Sequence, residues 1–209
     1  MPSSGTGVVV GRRWVLTARH IWDDHIAAGG DLEQFYAAIP DLKSGRNCPT
    51  QPIFFSRYIV GRGDVIAFRS STDLNIPLPK VQWFYNPEEG LKHRSGTVTY
   101  GYGAGLNADL RQAAGKLHRL TPENEPYEGV NVVDTLDRNA VRLGHGDSGG
   151  PVFIDDELVG IHIADPPADL EYTFSYWAPL FNQPEIRRAI LADLEDDEVL
   201  AIPVRPEGS

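Results

Sequence analysis

What most limits the folding options of this chain is the punctuation of its apolar runs. They are short, rich in Val, Ile, Thr, Phe and Tyr, and cut off by Gly, Pro, Asp or Asn. The run "TGVVV" (6–10) is followed by "WVLTA" (14–18), "IFFSRYIV" (53–60), "DVIAFR" (64–69) and "GTVTYGY" (96–102). The second half adds "GKLHRL" (115–120), "VNVVDTL" (130–136), "GPVFI" (150–154), "LVGIHIA" (158–164) and "TFSYWAPL" (173–180). Runs of this length and makeup bury as strands, because β-branched and aromatic side chains fit a pleated surface. Gly11-Arg12-Arg13 turns the first run into the second as a hairpin, and Asp155-Asp156-Glu157 does the same for "PVFI" and "LVGIHI".

Helical signals are few. In "NQPEIRRAILADLEDD" (182–197), Asn182 suits a cap, Pro184 the first turn, and Ile186, Ile190 and Leu194 recur every fourth residue. A short helical insert is expected in "LEQFYAAI" (32–39). Pro77, Pro79 and "NPEEGLKHRSG" (86–96) read as a connection between halves. The expectation is an all-β chain with one strand-rich unit over 1–88 and a second over 89–181. A helix and acidic tail follow over 182–209. At 209 residues both units can hold a buried core.

The formal charge of −10 argues against a nucleic-acid partner, since a phosphate-binding surface needs clustered Lys and Arg. No apolar run approaches bilayer length, so no membrane partner is expected. The single cysteine, Cys48, excludes an internal disulfide framework. If Met1 is the true start, these features read as cytoplasmic; in a piece of a longer protein, fused to other domains, the missing leader says little.

Chemistry concentrates in "VRLGHGDSGGPVF" (141–153), where glycines surround Ser148 and Asp147 precedes it. A tight turn accounts for such a run, since Asp, Ser and Gly all form turns. A nucleophile accounts for it too, the glycines freeing nearby N–H groups to face a developing negative charge. A serine hydroxyl attacks a carbonyl poorly without a base, and the base needs an orienting group. His20 ends "WVLTARH", where a strand meets a loop. Asp64 heads the apolar "DVIAF", and a carboxylate entering a buried strand needs a partner.

"TARH", "GDVIAF" and "GDSGGPV", in that order, resemble the three signatures of the chymotrypsin-like (trypsin-fold) serine proteases. The resemblance covers nearly the whole chain. It implies two packed antiparallel six-stranded-type β-barrels with a cleft between them, plus the C-terminal helix, and hydrolysis of protein or peptide substrates with no metal and no cofactor. It implies Ser148 as nucleophile, His20 as general base then acid, and Asp64 as the group that orients His20. The N–H groups of Gly146 and Ser148 would form the oxyanion hole, and Asp147 would turn inward to a buried cation that holds that loop.

Two departures from the family pattern bear on function. Only a short segment precedes His20, so the leading strand of the first barrel is expected to be missing or replaced, and the free amine that meets the Asp147 position in secreted animal members cannot be assumed. Arg142 or Arg138, with His145 as a third candidate, would supply the cation; otherwise the loop waits for an activating partner or a cleavage. The pocket for the side chain preceding the cut bond would be lined by Arg142, Leu143, His145, His162, Ala164 and Asp165. Arg142 replaces any acid at its floor, and "GIHI" resembles the bacterial glutamyl endopeptidase branch. Both favour an acidic side chain, although Leu143 stands where that branch has a small hydroxyl residue and Asp165 pulls the other way. The alternative function is a protease-fold binding module, silent or latent until a partner activates it. An α/β-hydrolase is disfavoured because the only histidine after Ser148, His162, lies inside a strand.

Overall fold

The structure is a computed structural model and describes residues 4–40, 49–103, 110–121, 132–136, 143–164 and 174–195. The first half opens with the hairpin of β1 (Val8–Gly11) and β2 (Trp14–Ala18), in which Val9 faces Val15. Helix α1 (Arg19–Ala27) follows at once, then β3 (Tyr36–Pro40), β4 (Pro49–Val60) and β5 (Val65–Ser70). They pair in the order β1-β2-β5-β4-β3, every neighbour antiparallel. Among the described residues this five-stranded sheet curls without closing. It is a half-barrel.

The second half contains β6 (Lys80–Val81), helix α2 (Pro87–His93), β7 (Gly96–Gly101), β8 (Arg111–Leu120), β9 (Val132–Leu136), β10 (Pro151–Ile154), β11 (Glu157–Ala164) and β12 (Phe174–Pro179). The strands run β10-β7-β8-β9-β12-β11, and β10 pairs back onto β11, so six antiparallel strands close on themselves. The short β6 adds parallel to the outside of β11. A single 3-10 turn (Leu180–Asn182) leads into α3 (Pro184–Glu195), the C-terminal helix that the fourfold apolar repeat predicts.

Two sequence expectations give way. Residues 32–39 hold no helix: Tyr36 onward is β3, whose Tyr36 lies against Phe54 of β4, a cross-strand aromatic contact that outweighs the local periodicity. The 86–96 connection holds α2, capped by the Asn86 side chain on the Glu88 N–H, with Pro87 in its first turn.

The largest core lies between the halves. From β1, β2, α1 and β5 it takes Val10, Trp14, Leu16, Ala18, Ile21, Val65 and Ala67. From the second half and α3 it takes Leu158, Ile161, Ile163, Leu180, Ile186 and Ile190. Strand β2 is buried on both faces, alternate residues Trp14, Leu16 and Ala18 serving this core while Val15 serves a smaller one with Ile53 and Leu74. The ends of β2, β5 and β11 are thereby brought together at one seam.

Candidate active site

His20 does not end a strand, as its sequence context suggests, but sits in the first turn of α1. That turn has no capping side chain of its own, since its N-cap is Ala18. The missing acceptor arrives from β5's leading loop. Asp64 Oδ1 takes the His20 N–H at 2.8 Å, and its Oδ2 takes His20 Nδ1 at 2.8 Å. One carboxylate thus satisfies an orphan amide of the helix start and fixes the imidazole, with the positive end of the helix favouring its charge. Arg19 ties the two segments further, donating to the carbonyls of Gly63 (2.7 Å) and Gly61 (2.9 Å), while its own N–H bonds the Asp64 carbonyl. Trp22, on the next turn, packs edge-on to Phe35 and Phe68 and seats the helix on the half-barrel.

Burial alone would lower the His20 pKa, but the Asp64 hydrogen bond and charge, helped by Asp24 and Asp23, outweigh it and raise the pKa above the usual histidine value. The ring's remaining nitrogen, Nε2, is then the basic one, held in a set orientation by the bond at Nδ1.

Ser148 lies across the seam, with Gly149 packed on Thr17 and Ala18 at the end of β2. Its hydroxyl donates to the Ile163 carbonyl of β11 at 3.1 Å, and no hydrogen bond joins it to His20. The loop before it is tightly held. Asp147 N–H bonds Gly144 O (2.9 Å), Gly149 N–H bonds His162 O (2.7 Å) and Gly150 N–H bonds Asp147 O (2.9 Å). Among the described residues the amides of Gly146 and Ser148 enter no hydrogen bond. Gly146 has φ +91°, a conformation a side chain would strain.

Asp147 is fully buried and turned inward. Its carboxylate accepts from the amides of Gly144 (2.8 Å) and Gly103 (2.7 Å) and from Arg111 Nη2 at 2.7 Å. The cation is therefore Arg111 of β8, and sequence reasoning missed it. His145 is exposed, and Arg138 and Arg142 lie outside the described residues. A signal existed. Arg111 stands directly opposite Gly101 in the β7–β8 pair, and a Cβ at Gly101 would lie 2.2 Å from Asp147 Oδ1, so glycine there makes room for the inward acid.

The expected pocket residues scatter. Leu143 is buried and Ala164 half-buried, while Arg142 and Asp165 lie outside the described residues. His162 is wholly buried in β11, its Nδ1 3.0 Å from Ser175 Oγ of β12. Beyond Ser175, its cross-strand partner Asp134 is also buried, accepting from Thr97 Oγ1 and Trp177 Nε1. Loss of water pushes the Asp134 pKa up to about 6, against the pull of its two donors and of His162. No cluster among the described residues has the makeup of a metal site, and no described helix is long and apolar enough to cross a membrane.

The fold has close counterparts among solved structures. Neuropsin, a serine protease expressed in the limbic system of mouse brain, matches with TM-score 0.62 and 20% identity over 88% of this chain and 87% of its own. A scabies mite inactivated protease paralogue matches with TM-score 0.61 and 17% identity over 92% and 88%. The HtrA-type protease AlgW, solved with a decapeptide, matches with TM-score 0.62 and 16% identity over 90% of this chain and 51% of its own. Since an inactivated protease stands among them, these likenesses carry the fold and no more. No curated protein matches the sequence. The trypsin family model, however, matches residues 2–176, a span that includes His20, Asp64 and Ser148, and the chain belongs to that family.

Proposed function

We propose that the chain is a serine endopeptidase acting through an acyl-enzyme. The observation that carries this reading is the doubly bonded His20–Asp64 pair, with Gly149 next to Ser148 packed on the end of the strand that leads into His20, and the amides of Gly146 and Ser148, which enter no hydrogen bond among the described residues. When a peptide binds, the Ser148 hydroxyl leaves the Ile163 carbonyl and hands its proton to His20 Nε2 as Oγ attacks the scissile carbonyl. The carbonyl oxygen, now negative, accepts from the Gly146 and Ser148 N–H groups. Collapse breaks the C–N bond, His20 returns the proton to the leaving amine, and a water then hydrolyses the ester by the same steps reversed. Asp64 holds the imidazole in one tautomer and stabilises its protonated form. Arg111 on Asp147 supports the Ser148 loop from within the chain.

The finer reading is a preference for an acidic residue before the cut bond. It rests on the likeness of "GIHI" to the glutamyl endopeptidase branch; His162 itself lies one residue before the Ile163 carbonyl that takes the Ser148 hydroxyl, its ring buried against Ser175. With Arg111 serving Asp147, Arg142 is not required there, and the sequence argument that assigns it to the pocket floor keeps its force.

The test is fluorophosphonate labelling of the folded protein against Ser148→Ala, followed by a map of cleavage sites in a denatured protein mixture. Labelling of wild type alone, with cuts after Glu or Asp, is expected. A folded wild type that neither labels nor cuts overturns the enzyme reading, and cuts after other residues overturn only the acidic preference.

A further inference from the structure

Thr6 lies just ahead of β1, in the first half, yet its bonds reach the loop of the second half. It is buried at 5% exposure, and every polar atom it has is used. Its N–H donates to the Ser148 carbonyl at 2.8 Å. Its hydroxyl donates to the Gly146 carbonyl at 2.9 Å while accepting the Tyr102 N–H at 3.0 Å. Its carbonyl accepts from Thr17 Oγ1 at 2.7 Å, which anchors it to β2. One residue therefore grips the backbone on both sides of Asp147.

We infer that Thr6 is a positioning residue for the oxyanion hole, an assignment that rests on the protease reading above. A glycine with φ +91° has little intrinsic preference, so the direction of its N–H depends on what holds its neighbouring peptides. Asp147 and Gly144 fix one side of the Gly146 turn through the carboxylate. On the other side, the Gly146 carbonyl is held by the Thr6 hydroxyl. Only a group that donates and accepts at once can link that carbonyl to the Tyr102 amide, and a buried apolar replacement would leave both unsatisfied. The clasp acts on the loop, and none of its hydrogen bonds goes to His20 or Asp64.

The experiment compares wild type, Thr6→Val and Thr6→Ser in their labelling by a fluorophosphonate, reading both the rate constant and the final fraction labelled across pH. Thr6→Val should label to completion with a plateau rate constant about 10- to 100-fold lower, less than the loss seen when a donor is removed outright. The acid limb of its pH profile should not move, because the His20–Asp64 pair is intact. Thr6→Ser should stay within about threefold of wild type, since serine keeps both hydrogen-bonding roles. A role in stability alone would lower the final fraction labelled and leave the rate constant of the folded molecules unchanged, and that result overturns the inference. So does a shift of the acid limb in place of a lower plateau. Should Thr6→Val fail to fold, Thr6→Cys, with a donor too weak to hold the carbonyl, carries the same expectation. A folded wild type that never labels overturns the protease reading instead, and so separates the two failures.

Discussion

The two halves hold their site residues by opposite means. The second is a closed barrel whose strands satisfy one another all round, and its β8 sends the part-exposed Arg111 onto the buried Asp147 under the Ser148 loop. The first is an open sheet, and its acid-bearing loop is braced from outside by the far end of the chain. Gln183 grips Arg62 at both backbone atoms, accepting its N–H at 2.9 Å and donating to its carbonyl at 2.8 Å. In α3, which follows it, Asp193 takes the Trp14 indole N–H at 2.8 Å and pairs with Arg69 at 2.9 Å. The closed barrel also buries the Asp134 carboxyl between its strands, on Thr97 and Trp177. The open sheet relies on a strap, and its core is shared with that strap.

The largest expected effect is on chemistry in the first half. Asp64→Asn should cut kcat about 10⁴-fold, the scale seen when a triad carboxylate becomes an amide. The same variant tests the sign of the His20 shift. His20 acts as base only when neutral, so with its pKa raised the acid limb of kcat/KM should lie above the ordinary histidine value. Without the carboxylate, burial is opposed only by Asp24 and Asp23, and the limb should move to lower pH. A limb that stays put would mean that Asp64 is not what raises it.

Next comes the interior of the second half. Arg111→Ala leaves a buried carboxylate unpaired, which costs about 3–5 kcal/mol, and fluorophosphonate labelling should fall with it. Denaturant unfolding of the variant, beside Arg111→Lys as partial rescue, measures this. Equal stability would erase the contrast between the halves.

Asp134 gives a pH-dependent test of the same barrel. Its folded pKa of about 6 lies above the unfolded value of 3.8, so the native state binds the proton more tightly. Stability should therefore fall as pH rises through 4 to 6, by roughly 3 kcal/mol from this group, and stay lower above pH 6. Asp134→Asn should flatten the difference in unfolding free energy between pH 4.5 and 7.5. An undiminished difference would assign it to other groups.

The smallest effect is at the strap. Gln183→Ala should cost about 1–3 kcal/mol, for two backbone groups left without partners. Hydrogen exchange should quicken at residues 61–64 and not in β7–β12. Uniform quickening would show that the halves are not braced separately.

Strands were legible because each carries its own β-branched and aromatic residues between turn formers, as "WVLTA" and "LVGIHIA" do. Helix α3 was legible from Pro184 and the Ile186–Ile190 repeat. Helix α2 carried its signals openly, with Asn86 as cap, Pro87 in the first turn, Glu88 and Glu89 early, and Lys92 and His93 late. Helix α1 did not, because its cap is Asp64, a residue distant in sequence that no local pattern announces. Arg111 was hidden for the same reason. Its meaning comes from facing Gly101 across a strand pair, and "RQAAG" by itself names no partner. Ser148, His20 and Asp64 stand out in the sequence as motifs, whereas the clasp, strap and cation that hold their loops are contacts between distant segments.

The bond between Gln183 and Arg62 spans 121 positions along the chain. During synthesis the segment bearing His20 and Asp64 emerges long before the carboxamide that braces it, so the growing polypeptide first holds that segment by its own bonds alone. The brace arrives only after Ser148 has been made, so a growing chain that stops short of Gln183 has neither hydrogen bond at the Arg62 backbone.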